Sequence, residues 1–543
     1  MRRLLVATLA TALTLAGSAI PAQAAPAPGG AGLGDEYFPD YGNGGYDVSH
    51  YDVRLRYYPD DDRLTGTTTI LATATQDLSS FHLDFVLDVA SVKVNNRPAA
   101  FSREGDHELV VTPSRAVTRG GAMTVVVQYS GVPSNKVAGG ITAWVRTPDG
   151  ALAVGQPEEA WWWFPSNDHP SDKATFDVSV AVPDGVEVVS NGVMPRNPAR
   201  EILGWTRWSW RSIHPQATYL AFLAIGQYEI TRDTTADGQQ VINAYSDLLT
   251  PAFEDAAKAS VERTAEVVDW ESGLFGPYPF EARGGVVAPP DTLTFALETQ
   301  TRSVYSSGFF RSGSNTSVVV HENAHQWFGD SVSVDRWKEI WLNEGFATYA
   351  EWLWSEEQGE GTAQELFDYL YASKDADFWT VAPAAPGASE IFGDAVYDRG
   401  AMTLHQLRNT IGDQDFFELL RTWVSEHRYG DANTVEFTTL AEKISGQQLD
   451  ELFDAWLYTP AKPAVPGRRR AHGRRRAEGA EVARRDPADP RPAARPALNP
   501  GPCGAHLPCR ARVSRSARSG GSDSRLPVST LCTCSLSTRL KAT

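Results

Sequence analysis

The sequence predicts a multi-domain protein of mixed α and β class, in which an antiparallel β domain (45–230) precedes a mainly helical domain (231–462). The first domain is predicted by short runs in which apolar and polar residues alternate, separated by turn residues: Tyr51–Tyr57, Thr67–Thr75 and Met123–Tyr129 are examples. The second is predicted by longer runs with helical periodicity, among them Ala252–Ser272, Arg399–Asn409 and Thr434–Ser445. No segment recurs with a fixed period, which argues against a repeat architecture.

The first 24 residues have the pattern of a secretory signal peptide. Two arginines precede an apolar run over residues 4–20, and Ala22-Gln23-Ala24 is a small-residue cleavage site. A membrane anchor is the alternative, but the run is short and rich in Ala and Thr, so we expect cleavage after Ala24 and a secreted, extracellular protein. Residues 25–44 are rich in Ala, Pro, Gly and Asp and are predicted to form a flexible leader.

Charge and hydropathy exclude some classes of partner. The chain carries a net charge of −18, of which residues 467–543 contribute +12 and the remainder −30. A strongly acidic body argues against nucleic acid as the main partner. No stretch after the signal pattern is long and apolar enough to span a bilayer, so no membrane partner is expected. A monomer is the default expectation.

Beyond residue 462 the hydrophobic patterning stops. Residues 463–543 are rich in Arg, Pro, Ala and Gly and are predicted to be a disordered basic tail. One interpretation is a partner-binding tail, and another is a zinc site built from Cys503, Cys509, Cys532 and Cys534, although their spacing is poor. The abrupt change is also typical of out-of-frame translation, and we favour an artefactual or non-functional tail.

The clearest chemical signal is the sequence His321-Glu322-Asn323-Ala324-His325. On a helix, His321 and His325 lie on one face, one turn apart, and can bind one zinc ion. Glu322 lies beside the first histidine and is long enough to deprotonate a water on the metal. A third ligand must come from elsewhere, and Glu344 is available in a second predicted helix (339–353).

A longer stretch carries a family resemblance. Residues 321–330 (HENAHQWFGD), Trp337 and residues 341–349 (WLNEGFATY) resemble the zinc-binding signature of the gluzincin aminopeptidases, the alanyl/leucyl aminopeptidase type related to leukotriene A4 hydrolase. The resemblance implies an N-terminal antiparallel β-sandwich or saddle domain followed by a thermolysin-like catalytic domain with one Zn²⁺ per chain. It also indicates a secreted bacterial short form, because the large helical C-terminal domain of many relatives has no counterpart, and we therefore expect an open cleft.

The resemblance implies further roles. In the family, a tyrosine that lies shortly before a basic residue, Gly and Ala stabilises the oxyanion. Tyr397, which lies shortly before Arg399-Gly400-Ala401, is expected to have this role. Glu298 keeps the carboxylate of the family's amine-binding strand, although its neighbours differ. Gln156 and Glu158 fit the family's Gln-x-Glu pattern, a second anchor for the substrate amine; an exposed loop acid is the alternative for Glu158. Glu351, on the same helical face as Glu344, is a candidate to orient a ligand histidine or is an ordinary solvated carboxylate.

The expected activity is therefore that of a secreted zinc aminopeptidase, which hydrolyses N-terminal residues from peptides with a free amino terminus. Attack by a zinc-bound water activated by Glu322 is the expected mechanism. A thermolysin-like endopeptidase on the same scaffold is the first alternative, and acetylation of the substrate's amino group distinguishes the two. A non-catalytic binding protein is the alternative from another class, but Glu322 and all three ligands are present.

Overall fold

The structure is a computed structural model that describes residues 25–138, 141–157 and 159–465. The predicted signal peptide, Glu158 and residues 466–543 lie outside the described residues, so the expectations for them remain predictions. Among the helices in the described part of the chain, none is long and apolar enough to cross a membrane.

The amino-terminal half is built from strands. In chain order they are β1 (Ala27–Pro28), β2 (Tyr46–Tyr58), β3 (Arg63–Ala74), β4 (Leu78–Asp84), β5 (Asp88–Val94), β6 (Arg97–Glu104), β7 (Glu108–Thr112), β8 (Ala122–Gly131), β9 (Trp144–Arg146), β10 (Ala151–Ala153), β11 (Ala174–Pro183), β12 (Glu187–Val189), β13 (Ala199–Ile202), β14 (Trp205–Gln216) and β15 (Leu223–Gly226). A large sheet has the order β1-β4-β7-β6-β5-β8-β3-β2-β11-β14-β13, and a smaller one the order β12-β15-β10-β9.

Pairing in the large sheet is antiparallel except at β1–β4 and β2–β11, which are parallel. The alternation within β2 changes phase at a bulge between Val48 and His50. Before the bulge Val48 is buried, and after it Tyr51 and Val53 are buried. An extra residue in one strand shifts which side chains face the core, and this explains why the regular alternation in the sequence begins only at Tyr51.

The second half contains two further sheets, one of six strands and one of two, and most of the helices. Its strands are β16 (Tyr228–Thr234), β17 (Gln240–Ser246), β18 (Ala282–Arg283), β19 (Gly285–Val287), β20 (Ala296–Leu297), β21 (Ser303–Tyr305), β22 (Ser333–Val334) and β23 (Asp431–Ala432). Its α-helices are α1 (Pro251–Val261), α2 (Thr264–Phe275), α3 (Thr316–Ala324), α4 (Trp341–Gln358), α5 (Ala363–Ser373), α6 (Gly400–Ile411), α7 (Asp413–Glu426), α8 (Thr434–Ser445) and α9 (Asp450–Phe453). The predicted fold class, a sheet-rich domain followed by a mainly helical one, is confirmed.

One predicted helix is divided. Periodicity over residues 252–272 predicts a single helix, whereas the structure has α1 and α2, separated at Glu262 and Arg263. Neither glycine nor proline marks the break, which explains why the sequence pattern does not reveal it. Other ends follow sequence signals: Thr362 and Glu365 form a capping box before α5, and Gly359 ends α4 in the left-handed conformation at φ 69°.

The two halves are joined through a buried arginine. Arg302 is fully buried, and its guanidinium donates to the carbonyl oxygens of Ser190 and Gly192 in the first half and of Ile242 in the second. Asn191 adds a hydrogen bond of 2.9 Å to the carbonyl oxygen of Gln300. No carboxylate of the described residues forms an ion pair with this guanidinium, and burial lowers the pKa of Arg302 to about 10. These bonds fix the strand end that carries Glu298 relative to the β domain.

Residues 25–44, which we expected to be a flexible leader, make specific contacts with both halves. Asp35 is 2 % exposed, and its carboxylate accepts a hydrogen bond of 2.8 Å from the backbone N–H of Trp337. Glu36 forms ion pairs with Arg336 and Lys338. Asn43 is fully buried and donates to Asp84 in the β domain. The segment therefore connects the β domain to the loop before α4.

Two glycines allow α4 and α6 to approach each other closely. A Cβ atom placed on Gly400 would lie 2.9 Å from Cα of Gly345, and one placed on Gly345 would lie 3.0 Å from the backbone of Gly400. Such distances are shorter than normal carbon–carbon contacts, so only glycine fits at this crossing. The crossing brings Glu344 on α4 toward Tyr397, which lies just before α6.

We predict that Gly400→Ala forces the two helices apart and lowers the free energy of unfolding by about 1–3 kcal/mol, the usual cost of overpacking. Thermal or denaturant unfolding measures this change. Gly273→Ala is the matched control, because Gly273 lies in α2 with nothing within 4 Å of the added Cβ. The control should stabilise the protein slightly, and equal stabilities of the two variants would contradict the close-approach interpretation.

Candidate metal centre

The two motif histidines lie at the end of a short buried helix. Helix α3 begins after Asn315, whose side chain accepts from the backbone N–H of Val318, and His325 immediately follows the last helical residue. His321 and His325 are 6 % and 1 % exposed, and their ring centroids lie 4.9 Å apart. The helix thus presents both imidazoles on one face, as the four-residue spacing predicts.

Glu344 on α4 faces this pair. Its Oε2 lies 3.3 Å from Nε2 of His321 and 3.3 Å from Nε2 of His325. In a tetrahedral zinc site with bonds of about 2.1 Å, ligand atoms lie about 3.4 Å apart. The three atoms are therefore spaced as the ligands of one ion would be, and the structure brings together the three residues that the sequence singled out as ligands.

The other ring nitrogen of each histidine has a partner. Nδ1 of His321 lies 2.8 Å from Oε1 of Glu351, whose other oxygen accepts from the hydroxyl of Ser317. Nδ1 of His325 lies 3.1 Å from the carbonyl oxygen of Phe328. A proton held on Nδ1 by these acceptors leaves the Nε2 lone pair free to bind a metal. Glu351 is thus in contact with a ligand histidine.

The pKa values of Glu344, His321 and His325 are shifted because these three side chains lie close together. Burial disfavours ionised Glu344, but the facing His325 and His321 outweigh it and lower the pKa of Glu344 to about 2. Burial also disfavours the charged imidazoles, yet Glu344 and Glu298 raise the pKa of His325 to about 9. Glu344 and Glu351 raise the pKa of His321 as well. The centre therefore favours a bound positive charge, which a metal ion supplies in place of protons.

Two further carboxylates lie beside the ligands. Atoms of Glu298, Glu322 and His325 lie within 4.8 Å of one another, and both carboxylates are at least 95 % buried. Burial raises the pKa of Glu322 to about 8. His321 and His325 lower this pKa, whereas the nearby carboxylates of Glu298 and Glu344 raise it further. Burial likewise raises the pKa of Glu298. The two side chains form the acidic wall of the centre.

Glu298 is held from the β domain. Its Oε1 accepts from Nε2 of Gln156 at 3.3 Å and from the hydroxyl of Tyr219 at 3.2 Å. Gln156 is one of the sequence-predicted site residues, whereas Tyr219 is not. Tyr219 lies in a single 3₁₀ turn, Thr218–Leu220, within the predicted β domain, and no sequence motif identifies it.

Tyr397 lies near the metal ligands. It belongs to a π-helical turn, Ala395–Arg399, that leads into α6, and such turns often occur at functional sites. Its ring stacks against that of His321 with centroids 6.0 Å apart. Burial and the carboxylates of Glu344, Glu298 and Glu322 raise its pKa well above the ordinary value. The hydroxyl is therefore protonated at neutral pH and can donate a hydrogen bond.

The arrangement fits zinc. Two imidazole nitrogens and one carboxylate oxygen are the donor set of catalytic zinc sites, which keep the fourth position for water or substrate. Both nitrogens are oriented by hydrogen bonds at Nδ1, and the carboxylate carries part of the opposite charge. Of the other predicted site residues, Glu298, Glu322, Gln156 and Tyr397 border this centre, and Glu158 lies outside the described residues.

Comparison with known families accounts for both halves of the chain. Residues 48–220 match the Peptidase M1 N-terminal domain, and residues 305–456 match the Peptidase family M1 domain. Together these matches span more than half of the sequence, and the second contains all three candidate zinc ligands. The chain belongs to peptidase family M1. The resemblance to the gluzincin aminopeptidases is confirmed.

Solved structures and curated relatives of family M1 agree with this assignment. An M1 zinc metallopeptidase from Deinococcus radiodurans is 29 % identical, with a TM-score of 0.71, and the match covers 80 % of this chain and 98 % of that one. A mutant of that enzyme bound to a Tyr-Ser-Ala substrate matches equally well, at 29 % identity and a TM-score of 0.71, over 80 % of this chain and 99 % of that one. Glutamyl aminopeptidase of Rattus norvegicus is 25 % identical over 457 residues, which are 77 % of this chain and 47 % of the relative. The chain spans about half the length of the curated relatives that it matches.

We predict that Glu351→Ala weakens zinc binding about 10- to 100-fold, because removal of a carboxylate that orients a ligand histidine typically costs that much. Competition with a chromophoric chelator measures the affinity. Glu357→Ala, an exposed residue on the same helix, is the matched control and should bind zinc like the wild type. Equal affinities of the two variants would exclude an orienting role for Glu351.

Proposed function

We propose that this chain is a zinc aminopeptidase that removes amino-terminal residues from peptides. The observation that carries the proposal is the position of Glu298, a buried carboxylate next to Glu322 and His325. Gln156 and Tyr219 donate to it, and no Lys or Arg of the described residues forms an ion pair with it. A peptide's free ammonium group, bound there, would supply the missing positive charge and place the first peptide bond over the metal ligands.

The proposed reaction uses residues that surround this position. When bound, zinc would polarise the scissile carbonyl and acidify a water molecule. Glu322 acts as general base: its Oε accepts a proton from the attacking water and later transfers it to the leaving amine. Burial of Glu322 raises its pKa above the ordinary value and so makes the carboxylate a stronger base. The protonated Tyr397 hydroxyl donates to the oxyanion that develops on the carbonyl oxygen.

The peptide substrate and the cellular location are parts of the same proposal. The peptide-bound Deinococcus structure supports peptides as the substrate class. The pattern of residues 1–24 supports export, with Ala25 as the first residue of the mature protein. Mass spectrometry of protein recovered from the medium of an expressing cell would find Ala25 at its amino terminus; a retained residue 1 would contradict export by this route.

The activity is tested with an alanyl or leucyl amide reporter and its amino-acetylated twin, each with and without a chelator. We expect chelator-sensitive cleavage of the free-amine reporter alone, because only that reporter provides the ammonium group for Glu298. Cleavage of both reporters, or of internal bonds in a blocked peptide, would instead indicate an endopeptidase.

A Glu298→Gln variant serves as the control for the recognition step in that experiment. It keeps the shape of the side chain and the metal ligands but loses the negative charge. It should raise KM for the free-amine reporter and reduce the preference over the acetylated one, while its zinc content stays at one ion in the centre. An unchanged preference would remove Glu298 from amine recognition.

We predict that Glu322→Gln retains zinc but lowers kcat about 10²- to 10⁴-fold, the usual contribution of a general base. Glu322 is not one of the three convergent ligands, so the amide should leave the metal in place. Zinc content by elemental analysis and steady-state kinetics on the free-amine reporter are measured on the same preparation. Near wild-type turnover in a variant that still holds zinc would exclude the general-base role.

A further inference from the structure

The β domain contains a second convergent group of metal-binding side chains, Asp84, His107 and Glu108, which we call the β-domain cluster. Asp84 is the last residue of β4, and Glu108 is the first residue of β7. The two strands are antiparallel neighbours, with Asp84 directly opposite Glu108. Side chains at directly opposite positions point to the same face of a sheet, and two like charges there destabilise the pair. The fold therefore holds two carboxylates together at a buried position.

The distances within the β-domain cluster are those of atoms that share a cation. Nε2 of His107 lies 3.5 Å from Oδ1 of Asp84 and 3.7 Å from Oε1 of Glu108. These separations are too long for good hydrogen bonds, which lie near 2.7–3.2 Å. They are close to the spacing of about 3.4 Å between ligands of a tetrahedral zinc ion. The corresponding atoms of the metal centre described above are 3.3 Å apart.

Several of these oxygen atoms have no hydrogen-bond partner. Both oxygens of Glu108 and Oδ1 of Asp84 are buried and unpartnered, while the two residues are only 6 % and 1 % exposed. Oδ2 of Asp84 is fixed in place by Nδ2 of Asn43 and by the backbone N–H of Asp168, each at 2.8 Å. Buried carboxylates without partners are costly. No Lys or Arg of the described residues forms an ion pair with either carboxylate.

A backbone oxygen and a second imidazole complete the surroundings. Nε2 of His107 lies at hydrogen-bond distance, 3.1 Å, from the carbonyl oxygen of Asp40, an exposed residue, and it donates to this oxygen when no cation is bound. Nδ1 of His82 is buried without a hydrogen-bond partner and lies 3.5 Å from Oε2 of Glu108. One imidazole, two carboxylates and a carbonyl oxygen make a donor set that suits Zn²⁺ or Mn²⁺.

We propose that the β-domain cluster binds a divalent transition-metal ion through His107, Asp84 and Glu108, with the carbonyl oxygen of Asp40 as a fourth donor. The ion neutralises the two facing carboxylates and links the segment before β2 to strands β4 and β7. That segment also carries Asp35, which bonds the backbone of Trp337 in the second half. The site is therefore structural, and occupancy stabilises the fold rather than taking part in peptide hydrolysis.

The test is a count of bound metal on the full-length chain, saturated with Zn²⁺ or with Mn²⁺ and then passed through gel filtration. We expect two ions per chain in the wild type. A His321→Ala/His325→Ala variant, which removes two ligands of the first centre, should keep one ion. Its melting temperature should rise by several degrees when Zn²⁺ or Mn²⁺ is added, since a ligand that binds only the folded state stabilises it.

Glu108→Gln should reduce the wild-type count from two ions to one and leave the remaining ion at the first centre. His107→Gln is a second variant with the same expectation and no change in carboxylate charge, in case Glu108→Gln fails to fold. Asp106→Asn is the matched control, because Asp106 is exposed and immediately precedes His107. The control should keep two ions.

Three outcomes would overturn the proposal. The saturated wild type could bind a single ion, which would mean that a proton shared by Asp84 and Glu108 takes the place of the cation. A folded Glu108→Gln or His107→Gln variant could keep two ions, which would place the second ion elsewhere. The melting temperature of the His321→Ala/His325→Ala variant could also be insensitive to added metal.

Discussion

The contact of Glu344 with both motif histidines is the interaction on which the candidate metal centre depends. Its Oε2 is equidistant from the two Nε2 atoms, at 3.3 Å from each. This geometry requires α3 and α4 to lie close together, and α4 is positioned in turn by its glycine contact with α6. The segment before α6 carries Tyr397, so one helix crossing sets the separation between the metal ligands and the ring that stacks on His321. The geometry of the centre is thus a consequence of helix packing as much as of its polar residues.

The parts of the site that follow from local spacing are predictable from the sequence. His321 and His325 lie four residues apart, and Glu351 follows Glu344 by seven, so helical geometry alone puts each pair on one face. Contacts between distant segments are different. The bond from Tyr219 to Glu298 joins residues 79 positions apart, and its turn has no distinctive composition. Sequence periodicity cannot predict this hydrogen bond, because the bond depends on how the two domains pack against each other.

In the fold, too, local features are predictable from the sequence and long-range contacts are not. Alternation identifies the strands of the β domain, and in β2 it becomes regular only after the bulge. The break between α1 and α2 contains neither glycine nor proline and leaves no mark in the helical pattern. Residues 25–44 are the clearest difference. Their composition suggests flexibility, yet Asp35 and Asn43 are buried by partners far along the chain. Composition indicates how flexible a segment is in isolation, whereas its burial depends on the contacts that the rest of the chain makes with it.

The hydrogen bond between Gln156 and Glu298 connects the β domain to the catalytic domain. Arg302 connects the same two domains, because its guanidinium donates to backbone carbonyl oxygens of the β domain. In the proposed enzyme, Glu298 and the metal ligands belong to the catalytic domain, but the side chains that hold Glu298 in place belong to the β domain. The catalytic domain alone would keep Glu298 and the metal ligands but lose the two side chains, Gln156 and Tyr219, that donate hydrogen bonds to Glu298. A change at Gln156 or Tyr219 would therefore alter how Glu298 is held, while the three metal ligands keep their own supports within the second half of the chain.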